Sequence, residues 1–205
     1  MDFLQDKCAL FSNAGELLQQ CRPFSCGDDD LDSFFLDDAA KYERQLLSKS
    51  YCFRLKNDET VVVCAFTLSC SSIDARRLPN NRRRKLTENI PHEKTLRTYP
   101  AALIGRLGVN VEFGGKGIGT ELMEFIKQLV LNPSNIMSCR YLTIDAYNKQ
   151  SVLNFYEKSG FKPIFSSDIQ EKEYIGLPPE RDLKTRLMYF DLLPLDSKFL
   201  VSLTT

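Results

Sequence analysis

The sequence predicts a mixed α/β fold, and three observations carry that prediction. Strand-like runs rich in β-branched and aromatic residues alternate with amphipathic runs at helical spacing. Near the middle of the chain an apolar strand, a glycine-rich loop and a helix follow one another directly. Finally, 205 residues with 43% hydrophobic and 26% charged content suffice to bury one substantial core, so residues 1–205 read as a single domain.

Taken in order, residues 28–47 (DDDLDSFFLDDAAKYERQLL) place Leu31, Phe34, Phe35, Tyr42 and Leu46 on one side of a predicted helix. Acids gather at its start, where the helix dipole favours them. YCFRLK (51–56) and VVVCAFTLSC (61–70), joined by residues 57–60, read as the two strands of an antiparallel hairpin. Residues 73–98 are polar, basic and weakly periodic. From Pro100 the run AALIGRLGVNVEF reads as a central strand, in which Gly105 and Gly108 mark a bulge or a close backbone approach. GGKGIGT follows, and ELMEFIKQLVL then presents Leu122, Phe125, Ile126 and Leu129 at helical spacing. YLTIDA (141–146) is a further strand, SVLNFYEKSG (151–160) a helix ended by Gly160, and RLMYFDL (186–192) a late strand.

Composition excludes several classes. The apolar runs are too short to span a bilayer, and the acidic N-terminus lacks the basic and apolar regions of a signal peptide, so a cytoplasmic location is expected. Seven cysteines at 8, 21, 26, 52, 64, 70 and 139 form no repeated CxxC or Cys/His cluster, and no metal site is expected. Cys64 and Cys70 fall in an apolar stretch where burial is expected. His92 lies in a polar segment without a Ser or Cys partner motif and reads as a solvated loop residue. Formal net charge is zero, which gives no general reason to expect a polyanionic partner. One local exception is residues 75–85, which gather Arg76, Arg77, Arg82, Arg83, Arg84 and Lys85 around a Pro-Asn-Asn turn. Such a run could bind phosphates, although a solvated or mobile loop is its commoner fate.

The glycine loop narrows the chemistry. Gly114, Gly115, Gly117 and Gly119 fit no register of GxGxxG, and Gly115-Lys116-Gly117 lacks the Ser or Thr that a P-loop needs after its lysine. Two readings remain for the loop alone. It is either a cradle whose backbone N–H groups approach a pyrophosphate at a helix start, or a plain tight strand-to-helix turn.

In its neighbours the chain resembles the GNAT superfamily of N-acetyltransferases. The loop Gly114-Gly115-Lys116-Gly117-Ile118-Gly119 resembles the family's (Gln/Arg)-x-x-Gly-x-(Gly/Ala) motif, with Gly114 departing from the usual Gln or Arg. IGRLGVNVEF resembles the family's central strand, and TIDAYNKQSVLNFYEKSGFKPI its next strand, Asn-started helix and Gly-Phe turn. Upstream, FSCGDDDLDSFF resembles the opening of a subgroup that includes toxin-type members. The resemblance implies a mostly antiparallel central sheet, splayed at a cofactor slot and flanked by helices, and acetyl-CoA as the acetyl donor.

It also implies roles. Backbone groups of Leu107, Gly108 and Val109 would hold the pantetheine arm and thioester carbonyl. Amides of Gly114, Gly115, Lys116, Gly117, Ile118, Gly119 and Thr120 would hold the pyrophosphate. Tyr156 would be the general acid that protonates the departing thiolate, the competing reading being that Phe155-Tyr156 merely packs its helix on the sheet. Asn148 would be a cofactor contact or only a helix N-cap. Glu112 could relay a proton, though an exposed strand-end carboxylate is the commoner explanation, and no general base is identifiable. The acceptor expected first is a primary amine of a small molecule or peptide. The alternatives are a toxin-like acetylation of aminoacyl-tRNA, with tRNA bound through Arg76–Lys85, and a silent cofactor-binding module. A homodimer is also expected.

Overall fold

The computed structural model describes residues 2–88, 90 and 97–195; His92 lies outside them. Along the chain the elements are α1 (Phe3–Lys7), β1 (Cys8–Ser12), α2 (Gly15–Leu18), α3 (Asp29–Ser33), α4 (Ala39–Arg44), β2 (Lys49–Leu55), β3 (Val62–Asp74) and α5 (Asn80–Thr87). They continue with β4 (Thr98–Val109), α6 (Ile118–Leu131), β5 (Tyr141–Tyr147), α7 (Gln150–Lys158), β6 (Lys162–Pro163), α8 (Asp168–Ile175) and β7 (Thr185–Asp191). The seven strands are ordered β1-β2-β3-β4-β5-β7-β6. The pairs β1/β2, β2/β3, β5/β7 and β6/β7 are antiparallel, so the fold is the mixed, mostly antiparallel architecture expected. The chain divides into two compact units, one of residues 1–69 and 104–128, the other of 70–103 and 129–205.

In the first unit the acidic start of 28–47 does open a helix. The Asp28 carboxylate accepts from the Leu31 amide (3.2 Å) and caps α3. The expected single helix is interrupted, however. A π-helical turn at Phe34–Asp38 separates α3 from α4. Phe34 and Phe35 both lie in that turn and are buried, as the expected helix face required. The helix then stops at Arg44, and Leu46, expected on the buried side, has a positive φ of 58° and is 91% exposed. Beneath the phenylalanines lie Cys52, Val62 and Ala65. Cys64 is buried as expected, but Cys70 is exposed, because β3 runs on past the apolar stretch that suggested its burial. Ile118, Leu122, Met123 and Ile126 bury one face of α6, and Phe125 meets Phe53 edge-on at 4.9 Å.

In the second unit the stretch 75–85, expected as a solvated or mobile loop, is built into the core and a helix. Ile73, Ala75, Leu78 and Leu86 join Tyr99, Ala101, Tyr141, Ile164 and Phe165 in one core. The Tyr141 hydroxyl donates to the Leu86 carbonyl at 2.5 Å, tying the end of α5 to β5. Four consecutive cations in α5 leave Leu86 as its only large apolar residue, so no hydrophobic period was visible. α8 escaped notice for a related reason: its buried residue is Glu171.

Candidate functional site

The first unit holds the strand, turn and glycine loop of the candidate site. β4 stops at Val109 rather than continuing through Phe113, because Asn110 turns the chain. Buried, Asn110 donates from Nδ2 to the Val62 carbonyl (2.9 Å) and accepts from the Glu112 amide at Oδ1 (3.0 Å). Its own amide donates to the Val63 carbonyl (2.9 Å). A 3₁₀ turn at Val111–Phe113 follows, so Glu112 sits in a turn and not at a strand end. Sequence reading passed over Asn110, although a lone asparagine within an apolar strand is a signal of an Asx turn.

Gly114 closes that turn, its amide donating to the Val111 carbonyl (3.1 Å). Gly115 and Gly117 then take positive φ values of 71° and 81°, and a Cβ at either would meet nothing within 4 Å. Conformation, not crowding, therefore demands glycine at both positions, and open space lies above them. The amides of Thr120 and Glu121 both donate to the Gly117 carbonyl (3.0 and 3.1 Å), which starts α6. Among the described residues, the amides from Gly115 to Gly119 have no acceptor. Free N–H groups at the positive end of a 14-residue helix suit an anion. Lys116 folds back, its Nζ donating to the Glu112 carbonyl (3.1 Å) and lying 5.2 Å from the Phe113 ring centroid.

Upstream on β4 the expected close approaches are present. The Thr67 hydroxyl takes the Arg106 amide (3.0 Å), where a sheet would offer a carbonyl, and lies 3.0 Å from where a Gly105 Cβ would be. A Cβ at Gly108 would meet Cys26 at 3.0 Å and the Phe24 ring at 3.2 Å. The Phe-x-Cys-Gly segment thus packs on the face of β4 at Leu107–Val109. Asp32 pins it, accepting from the Cys26 amide (2.7 Å) and the Ser25 hydroxyl (2.6 Å). Burial opposes ionisation of Asp32, but these hydrogen bonds outweigh it and hold its carboxyl below the usual value. Burial first, and then the Asp32 carboxylate, pushes the Cys26 thiol up to about 12, which leaves it unreactive.

The second unit holds Tyr156 and Asn148. Tyr156 is half-buried on α7, its ring against Phe155 (5.0 Å) and Phe161 (5.8 Å). Burial pushes its phenol up to about 12, so the proton stays on at neutral pH. Asn148 is not the N-cap of α7; that position is Lys149, which makes no side-chain cap bond. Asn148 instead donates from Nδ2 to Asp168 (3.1 Å) and to the Leu183 carbonyl (3.0 Å). Asp168 and the buried Glu171 both hold Arg186, each at 2.6 Å. Burial raises the Glu171 carboxyl above its ordinary value, against the hydrogen bonds from Leu187 and Arg186. No group of three or more His, Cys, Asp or Glu side chains arranged for a metal occurs among the described residues. Nor is any helix of the described residues long and apolar enough to cross a membrane.

Residues 86–163 match the family model described as acetyltransferase (GNAT) domain. That match covers less than half of the chain and makes its central segment, with the strand, glycine loop and helix of the site, similar to GNAT acetyltransferases. Its fold is shared with solved toxin structures. AtaT complexed with acetyl-methionyl-tRNAfMet is 19% identical with a TM-score of 0.68, over 94% of this chain and 99% of that one. A tyrosine-to-phenylalanine mutant of KacT is 16% identical with a TM-score of 0.71, over 94% and 99%. AtaTR bound with AcCoA is 18% identical with a TM-score of 0.69, over 95% and 99%. No curated protein matches the chain.

Proposed function

We propose that this chain is an acetyl-CoA-dependent acetyltransferase of the GNAT type and that it moves the acetyl group onto the α-amino group of an aminoacyl-tRNA. The observation that carries the choice of acceptor is α5. Arg83, Arg84 and Lys85 stand exposed on it, and none forms an ion pair among the described residues. Arg76, by contrast, is neutralised by Asp74 at 2.6 Å. An exposed cluster of unpaired cations on a chain of zero net charge suits a phosphate backbone. The solved AtaT complex with acetyl-methionyl-tRNAfMet, on the same fold, supports this reading.

When bound, acetyl-CoA supplies an activated thioester. The free amides of Gly115 to Gly119 would hold its pyrophosphate, and the backbone of Leu107, Gly108 and Val109 would hold the pantetheine arm and thioester carbonyl. Asn148, whose Nδ2 is spent on Asp168 and Leu183, keeps only Oδ1 for a cofactor contact. Tyr156, by the resemblance, would donate a hydrogen bond to the departing thiolate. Because its phenol is near 12 while an ordinary thiol is ~8.5, full proton transfer is uphill, and the hydroxyl acts mainly by hydrogen bonding. The site needs no strong base for this acceptor. An α-amino group titrates at ~7.7–8.0, so roughly a tenth is neutral at pH 7, whereas a lysine-type amine at ~10.4 is almost wholly charged.

A second reading, acetylation of a small-molecule or peptide amine, rests on the zero net charge. The two separate in a salt titration of charged-tRNA binding. Replacing Arg83, Arg84 and Lys85 together by Ala should flatten the slope of log K against log salt by about 2–3 and leave acetyl-CoA affinity intact. An unchanged slope removes α5 from the acceptor site.

A further inference from the structure

Arg106 is a half-buried cation without a counter-ion. On β4 it directly precedes Leu107, and side chains two apart on a strand share a face, so it lies on the same side as Gly108, roughly 6.6 Å along the strand. Phe24 and Cys26 close over Gly108, and the ring of Phe34 lies beneath the Arg106 guanidinium at 5.0 Å. Of its donors, Nη1 reaches the carbonyl of Gly105 (3.1 Å), while the buried Nε has no acceptor. No carboxylate pairs with it among the described residues.

Arg54 in the same unit shows what a structural arginine looks like here. It also stacks on a ring, lying 3.8 Å from the Phe11 centroid, and its Nη2 pairs with Glu59 at 3.1 Å. Arg140, whose Nε is likewise buried without an acceptor, pairs with Asp191 at 2.8 Å. A guanidinium cannot shed its charge, and that of Arg106, with Nε buried and its Nη groups at the surface, keeps donors available for an anion. The adjacent residues are those proposed for the acyl carbonyl, so an anion taken there would belong to something bound during the reaction.

We propose that Arg106 binds a phosphodiester of the acceptor, the one on the 5′ side of the nucleoside that bears the amino acid. This deepens the proposed function and rests on it. In an aminoacyl ester the α-carboxylate is esterified and carries no charge, so the first anion near the amine is that phosphodiester. The planar guanidinium, held by Phe34, offers it the fork of donors that matches a phosphate. Arg106 thereby selects an aminoacyl nucleotide over a free amino acid ester or an amine lacking a phosphate.

The test compares two short acceptors that differ by one phosphate: aminoacyl-adenosine, which has none, and the same amino acid on cytidylyl-(3′,5′)-adenosine, which has one. The readout is the ratio of their kcat/KM values in one protein sample, which does not depend on the folded fraction. Wild type should prefer the phosphate-bearing acceptor by about 10- to 100-fold, the value of a hydrogen-bonded charge pair. Arg106→Gln should bring the ratio to about one, and Arg106→Lys should keep part of it. Phe34→Leu should lower it by loosening the guanidinium. Equal wild-type rates on the two acceptors, or an Arg106→Gln enzyme that keeps the ratio, overturn the role of Arg106 while leaving aminoacyl acetylation standing. If neither these acceptors nor intact charged tRNA are acetylated, the proposed function fails and Arg106 with it.

Discussion

Replacing Gly117 by glutamate puts a carboxylate into the open space above the free amides at the start of α6. The structure separates two consequences. The backbone there has φ +81°, so any residue with a Cβ costs about 1–2 kcal/mol in the fold, and alanine measures that cost alone. Nothing lies within 4 Å of the added Cβ, so no steric penalty accompanies it, and both variants should fold. For a chain of this size the loss corresponds to a fall in Tm of about 2–8 °C. The charge is the second consequence. A carboxylate ~5 Å from a phosphate at an effective dielectric of ~20 is repelled by about 3 kcal/mol, less with salt. Calorimetric titration with acetyl-CoA should therefore show Gly117→Glu binding roughly 30- to 150-fold more weakly than Gly117→Ala. That gap should narrow as ionic strength rises. A folded Gly117→Glu protein with the alanine variant's affinity would refute the assignment of these amides to the pyrophosphate.

Tyr156→Phe keeps the ring between Phe155 and Phe161 and removes only the hydroxyl, so Tm should hold while kcat falls toward the lower part of the ~10²–10⁴-fold range of acid–base catalysis. Wild-type turnover by the folded variant, with chemistry limiting, would pass the role to another donor. The pH profile adds a sign: a phenol raised to about 12 keeps its proton, so Tyr156 should give kcat no falling limb below pH ~10. A limb near pH 8–9 that vanishes in Tyr156→Phe would contradict its burial. Asn110→Ala leaves the Val62 carbonyl and Glu112 amide without partners, which should cost about 2–4 kcal/mol and lower Tm by roughly 5–15 °C. A fall in acetyl-CoA affinity should accompany it, because the turn that launches the glycine loop is lost; a thermal melt and a titration on the same sample check both.

What the sequence made legible follows from how each element is held. β4, the glycine loop and α6 are local: the positive φ angles demand glycine, and one helix face is apolar, so pattern and structure agree. The helix over 28–47 was half legible. Its acidic cap is local, but the π turn that carries Phe34 and Phe35 inward answers to the core beneath them. α5 was hidden because Leu86 anchors it through Tyr141, 55 residues away, and four cations mask its period. Of the two readings open for Asn148 the N-cap falls, because its partners, Asp168 and Leu183, lie beyond local reach. The strand-to-helix turn was thus visible from glycine spacing and its cofactor reading came from the resemblance, while Arg106 and the Arg186 network needed three dimensions.

The central claim, transfer from acetyl-CoA to an aminoacyl amine, is tested most directly by a single turnover with acetyl-labelled acetyl-CoA and charged tRNA. Deacylated tRNA and a panel of small amines serve as parallel acceptors. The account predicts free thiol and labelled N-acetyl-aminoacyl-adenosine in equal amounts after nuclease digestion, with no label on deacylated tRNA. Label on a small amine at the higher kcat/KM, with charged tRNA left untouched, would contradict it.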